Sequence, residues 1–189
     1  MSHATAPRRA TYADVLAAPP HVIAEVIDGV LYTQPRPATP HTRASRAVGE
    51  ELGPPVRRGR GGPGGWLLLD EPELHLGAEP DIVVPDLAGW RRERMPELPD
   101  APYLTLAPDW ACEVLSPRTQ ALDRTRKLPL YAREGVTHVW LIDPLAQTLE
   151  VYRLDGDTYR LVATHAGTAS VRAEPFDAVE LELAALWAR

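Results

Sequence analysis

A chain of 189 residues, 44% hydrophobic and 24% charged, has room for one domain with a real core and the composition of an ordinary soluble globular protein. A net charge of -6 excludes a surface coated in positive potential, while a local basic patch stays compatible with a polyanionic partner. The single cysteine, Cys112, excludes an internal disulfide and any paired-cysteine metal site. No stretch approaches the roughly 18 apolar residues of a membrane span, so the expected setting is reduced, cytoplasmic and away from the membrane.

In chain order, residues 1–20 read as an N-terminal arm with a short helix capped by Thr11 and ended by Pro19-Pro20. HVIAEVIDGVLYTQ predicts a hairpin over 21–35, hinged on Asp28-Gly29 as a type I′ turn. Ala44, Val48 and Leu52 stand four apart and predict a helix from about Pro40 to Val56. The string RRGRGGPGG, 57–65, holds no regular structure. WLLLDE and ELHL predict strands broken at Pro72, IVVPDLAGW is one apolar run carrying Pro85 and Asp86, and 91–108 form a proline-punctuated excursion.

DWACEVL alternates as a strand, with Trp110, Cys112 and Val114 on one face and Ala111, Glu113 and Leu115 on the other. A helix over 120–134 follows, stopped by Gly135 and kinked or weakened by Pro129. VTHVWLIDP, TLEVYRL and TYRLVAT predict the next strands, and ELELAALWAR a short strand running into a docking turn. The five tryptophans read as core or packing anchors. Strands on either side of helix 120–134 predict a single α/β (α+β) domain over 1–189, built on a mixed sheet flanked by helices.

Lys127 is the one lysine among 20 basic residues. An ammonium is a compact point charge, suited to a metal-bound water or a phosphoryl oxygen in a way that a planar guanidinium is not; the plain alternative is compositional bias and a lysine on a helix surface. Glu113 is the second anomaly, a carboxylate in a strand apolar on both faces. There it needs a partner or a metal, because a lone buried charge costs several kcal/mol; a salt bridge to Arg118 or Arg124 would serve as well as metal ligation. From Glu113 to Ser116 a strand advances roughly 10 Å, and from Ala121 to Lys127 a helix returns roughly 9 Å. The two side chains are therefore level. A third acid is expected from Pro80-Asp81 or Pro85-Asp86. Asp81 has a turn residue's position, whereas Asp86 sits inside the apolar run and is preferred, with Asp81 as fallback.

Basic residues cluster at Arg57, Arg58 and Arg60, at Arg91, Arg92 and Arg94, and at Arg118, Arg124, Arg126 and Lys127 against Asp123, a local +3. Each is a solvated face or part of a rim that tracks a nucleic-acid backbone. RGRGGPGG lacks the Gly-Lys-Ser/Thr of a phosphate loop, Ser116 lacks a nucleophile elbow, and the six histidines lack metal-ligand spacing. His41, just ahead of the predicted helix, is the one histidine placed for a site role.

The ordered set PD, EVLSP, D-x-x-x-K, Y-x-x-x-G-V and W-L-I-D-P resembles the PD-(D/E)xK nuclease superfamily with a migrated lysine. The position two after Glu113 is Leu115, and Lys127 stands in its place on the following helix. The wider string is similar to the Uma-two family of restriction-endonuclease-like proteins over roughly residues 20 to 185, including the hairpin IAEVIDGVLY with Glu25 at an early acidic position. The resemblance implies a restriction-endonuclease-like fold with an N-terminal hairpin extension (21–35) on a core of 40–185. It also implies a Mg²⁺- or Mn²⁺-dependent endonuclease acting on DNA, with RNA as the open alternative, and, by analogy, homodimers that cut both strands. In that reading Asp86, Glu113 and the carbonyl after Glu113 hold the metal, and Lys127 acts on the attacking water or the transition state. Glu25 holds a second metal or its water, unless it is merely a surface acid on an exposed hairpin. The other implied class is a non-catalytic nucleic-acid- or protein-binding module that keeps the fold.

Overall fold

The structure, a computed structural model, describes residues 8–187. A short helix α1 (Tyr12–Leu16) starts where the Thr11 N–H lies 2.7 Å from the Asp14 carboxylate. Strands β1 (Val22–Ile27) and β2 (Val30–Pro35) make the expected hairpin. Asp28 and Gly29 have φ of 53° and 76°, the left-handed pair that a type I′ turn requires. Helix α2 (Thr39–Leu52) buries Ala44, Val48 and Leu52 on one face and widens into a π-helical turn at Gly53–Arg57, where Pro54 and Pro55 bring no N–H to the α ladder.

Strands β3 (Trp66–Asp70) and β4 (Leu74–Leu76) flank Pro72. The run IVVPDLAGW is not one strand. It divides into β5 (Asp81–Val83) and β6 (Leu87–Arg91), which lie in different sheets, because Pro85 has no N–H for a central ladder. Asp81 opens β5 and is no turn residue.

Strand β7 (Trp110–Val114) leads to a helical segment in three pieces: α3 (Gln120–Leu122), a π-helical turn (Asp123–Lys127) and α4 (Leu128–Arg133). The kink expected at Pro129 is thus taken up one turn earlier, and the wider turn carries both Asp123 and Lys127 toward the interior. Then come β8 (His138–Asp143), β9 (Thr148–Asp155), β10 (Thr158–Ala166), β11 (Ser170–Val171), β12 (Leu181–Glu182) and helix α5 (Leu183–Trp187).

A six-stranded sheet in the order β10-β9-β8-β7-β6-β3 forms the spine. It is mixed: β7 and β8 run parallel, joined by the α3–α4 crossover, and its other neighbours are antiparallel. A four-stranded antiparallel sheet, β2-β1-β5-β4, stands beside it. The hairpin is therefore built into a sheet through β1–β5 pairing, which is how a residue of β1 reaches the interior. Alternation along β7 holds. Trp110, Cys112 and Val114 pack with Trp140, Phe176 and α2 on one face, while Ala111 and Leu115 pack with Trp90, Leu130 and Leu141 on the other. Gly89 admits a close approach within this sandwich. A Cβ there would lie 2.8 Å from Leu68 and 3.2 Å from the Trp110 ring.

Candidate active site

Strand β7 points Glu113 at the α4 side of the sheet, where the π-helical turn delivers Lys127. Lys127 Nζ lies 3.2 Å from Glu113 Oε2, 2.8 Å from Glu25 Oε1 and 3.7 Å from Asp123 Oδ1. All four are buried, with relative exposures of 1% for Glu25, 2% for Asp123 and 3% for Glu113 and Lys127. Two alternatives open in the sequence are closed by this geometry. Glu25 is no surface acid, because β1 lies between β2 and β5 and the Val84 N–H donates to Glu25 Oε1 at 2.9 Å. Lys127 does not sit on a helix surface, and Glu113 pairs with it in place of Arg118 or Arg124. Tyr131 was missed. Its hydroxyl donates to Glu113 Oε1 at 2.6 Å, and its spacing of four from Lys127 on a helix was the available clue.

Burial alone would lower the Lys127 pKa, but Glu113, Glu25 and Asp123 outweigh it and hold the ammonium well above its ordinary value. The same burial pushes Glu113 well up, against the pull of Lys127 and with help from Asp123, Asp86 and Glu25. Asp123 is raised to about 6, again chiefly by burial. Three carboxylates thus share one ammonium. A lysine held this firmly as a cation is a poor proton acceptor near neutrality; it can donate a hydrogen bond or offset negative charge.

Asp86 stands between β5 and β6, one residue ahead of the Leu87–Cys112 pair that joins β6 to β7. Its Oδ2 accepts the Val114 N–H at 2.7 Å and lies 3.2 Å from His41 Nε2. His41, in the first turn of α2, has its Nδ1 buried without a hydrogen-bond partner among the described residues. A cavity of about 380 Å³ opens onto Glu25, Asp86, Glu113, Asp123 and Lys127 together. Asp81 does not line it. Its Oδ1 accepts the Asp28 N–H at 2.7 Å and its Oδ2 pairs with Arg133, so this carboxylate fastens β5 to the hairpin and to α4.

The donor chemistry fits a hard divalent cation. The carboxylates at the cavity outnumber their single ammonium, and among the described residues no hydrogen bond or ion pair reaches Asp86 Oδ1. Among the described residues no group of three or more His, Cys, Asp or Glu side chains forms a ready metal cage.

The basic rim is smaller than the sequence suggested. Arg124 is committed to Glu150 on β9 at 2.7 Å, and Lys127 is buried, so the +3 of residues 116–127 is not presented to solvent. Arg118 lines the cavity mouth, and Arg126 is exposed. Arg57 and Arg58 line a second cavity of about 600 Å³ that shares His41 and Asp86 with the first, and Arg60 is exposed in the loop beyond. In the third cluster, Arg94 pairs with Asp109 at 2.9 Å and Arg91 lies over the Trp66 ring. Cys112 is buried in the core on the face opposite Glu113.

No helix among the described residues is long and apolar enough to cross a membrane. A family model matches residues 10–185: Uma2, described as "Putative restriction endonuclease". No curated protein matches the chain. Among solved structures, one from Anabaena variabilis, described as a "putative nuclease belonging to DUF820", superposes with a TM-score of 0.71 at 22% identity, over 94% of this chain and 97% of that one. At that identity the likeness establishes a common nuclease-like fold.

Proposed function

The chain belongs to the Uma2 family of restriction-endonuclease-like nucleases, and on that premise we propose that it hydrolyses phosphodiester bonds of DNA with the help of Mg²⁺ or Mn²⁺. The observation that carries this reading is the convergence of Glu25, Asp86, Glu113, Asp123 and Lys127 on one solvent-connected cavity. Asp86 and Glu113 are the side chains that would hold the cation. Bound there, it would supply Lewis-acid polarisation of a phosphoryl oxygen and a more acidic water.

The chain's own residues do the rest. Val114 N–H and His41 Nε2 fix the Asp86 carboxylate by its Oδ2. Tyr131 fixes Glu113 by its Oε1. Lys127, kept charged by its three acidic neighbours, offers hydrogen bonds and positive charge to a phosphoryl oxygen as charge builds on it. This assigns Lys127 to transition-state stabilisation and to orienting water, not to removing its proton. Glu25 holds the ammonium in place, and burial strengthens each of these interactions relative to water.

A second reading has one observation in its favour. Glu113 already has both oxygens engaged by side chains, as in a closed structural ion cluster of a non-catalytic binding module. One experiment separates the two. Supercoiled plasmid is incubated with the protein in EDTA, Mg²⁺ and Mn²⁺, alongside the Asp86→Asn variant. Nicking that needs metal and disappears in Asp86→Asn supports the nuclease. No nicking, together with no rise in melting temperature on adding either metal, leaves the binding module.

A further inference from the structure

Resting on that nuclease reading, we infer that the 380 Å³ cavity is a pocket for one unpaired nucleotide, so that the preferred substrate is single-stranded nucleic acid or an unpaired end, not a continuous duplex. Three layers of the cavity argue for this. Its floor is charged: Glu113 and Lys127 are each only 3% exposed, so a phosphodiester meets them only by entering the recess. Its walls are largely aliphatic, formed by Ile23, Val84, Pro35 and Pro117, surfaces suited to the flat face of a base or the apolar side of a sugar. Its lip carries Arg36 and Arg118, both exposed, and among the described residues neither takes part in an ion pair.

Charged floor, apolar wall and cationic lip match the order of groups along a nucleotide unit: reacting phosphate, base and sugar, next phosphate. The volume suits one such unit, at the lower end of the roughly 300–1,000 Å³ of small-ligand pockets. Inside a duplex each phosphate is tied to a stiff, stacked partner strand. Bringing it to a recessed floor means unpairing a nucleotide, at a cost of a few kcal/mol. A single strand has no such cost. The aliphatic walls lack the aromatic platforms that usually give tight single-strand binding, so the pocket selects by access and charge.

The test is fluorescence anisotropy with a labelled oligonucleotide of about 12 nucleotides, as single-stranded DNA, single-stranded RNA and the DNA duplex, in EDTA and in Ca²⁺. The expected result is single strand bound about tenfold more tightly than duplex, a difference of about 1.4 kcal/mol. Arg36→Glu with Arg118→Glu, both exposed and in no ion pair among the described residues, should abolish that preference, as should Ala38→Trp, which fills the lip. The metal-induced rise in melting temperature should persist in both. Equal or tighter duplex binding, or an unaltered preference in the double charge reversal, overturns the inference. The two single-stranded arms decide which sugar the pocket accepts. The outcome is separable from the nuclease assignment: metal-dependent cutting with no single-strand preference sinks only the pocket, while single-strand preference without cutting sinks only the hydrolysis.

Discussion

Lys127 Nζ lies closer to Glu25 Oε1, at 2.8 Å, than to Glu113 Oε2, at 3.2 Å. The lysine is therefore anchored by the hairpin of one sheet while it faces the glutamate of the other. Removing it leaves three buried acids without a cation, and breaking a buried pair this way costs about 3–5 kcal/mol. Lys127→Ala should lose about that much in urea unfolding. Lys127→Arg should also be destabilised and should fail in the nicking assay, because a broad planar guanidinium does not fit a site built around one nitrogen. Wild-type stability and activity in Lys127→Arg would show that charge alone suffices.

Asp86 and Asp81 are two Pro-Asp carboxylates with different surroundings. Asp86→Asn should remove the stabilisation that Mn²⁺ gives, with folding intact, since an amide oxygen can still accept the Val114 N–H. Asp81→Asn should keep the metal response and unfold more easily, having lost its ionic partner Arg133. Calorimetric titration of both variants with Mn²⁺ checks this; the opposite pattern would move the metal site to Asp81.

Tyr131→Phe removes the donor to Glu113 Oε1 and changes little else in volume. A buried acceptor left without its donor costs about 1–3 kcal/mol. The variant should lose stability in that range and hold Glu113 less firmly, so metal affinity should weaken while the far-ultraviolet circular dichroism stays native. A full-strength metal response would show that Tyr131 only packs.

The pH dependence has a definite sign. Asp123 titrates near about 6 in the fold, against about 3.9 when unfolded. Between those values the native state holds a proton that the unfolded chain has released, so stability is fully present below about 4 and falls as pH rises through about 6. Glu113, raised in the same direction, adds to that slope. His138, lowered by burial, slopes the opposite way, so the Asp123 contribution is read as a difference: the melting temperature of wild type relative to Asp123→Asn should decline from mildly acidic to neutral pH. A difference that stays flat or rises over that interval would contradict the burial-dominated titration.

Much of the fold was legible because periodicity reports burial. The alternation of β7, the four-residue spacing of α2 and the Asp28-Gly29 turn each encode a local geometry that tertiary packing did not override. Lys127 and Glu113 stood out for a chemical reason, each being the wrong kind of residue for its surroundings. Several misreadings were of partners. Arg124 reads as part of a basic rim or as a partner of Glu113, yet it pairs with Glu150 on β9, and no local pattern encodes that. Tyr131 carries no local sign of its acceptor, Glu113, which lies on a strand eighteen residues away. His41 could be singled out by its place before a helix, but its contact with Asp86 depends on how α2 lies against β6. The division of IVVPDLAGW was written in Pro85, whose missing N–H outweighed the continuity of the apolar run.

That division matters for the order in which the molecule becomes competent. The stretch from β5 to β6 crosses between sheets, with Val84 tied to Glu25 and Asp86 tied to Val114. A chain made from its N-terminus presents Glu25 and Asp86 to solvent before Lys127 exists to offset them, and domains acquire such long-range contacts late. An unfinished or nicked molecule would therefore display repelling carboxylates where the finished one has an organised recess. The organised recess would therefore arrive only with the helical segment that carries Asp123 and Lys127.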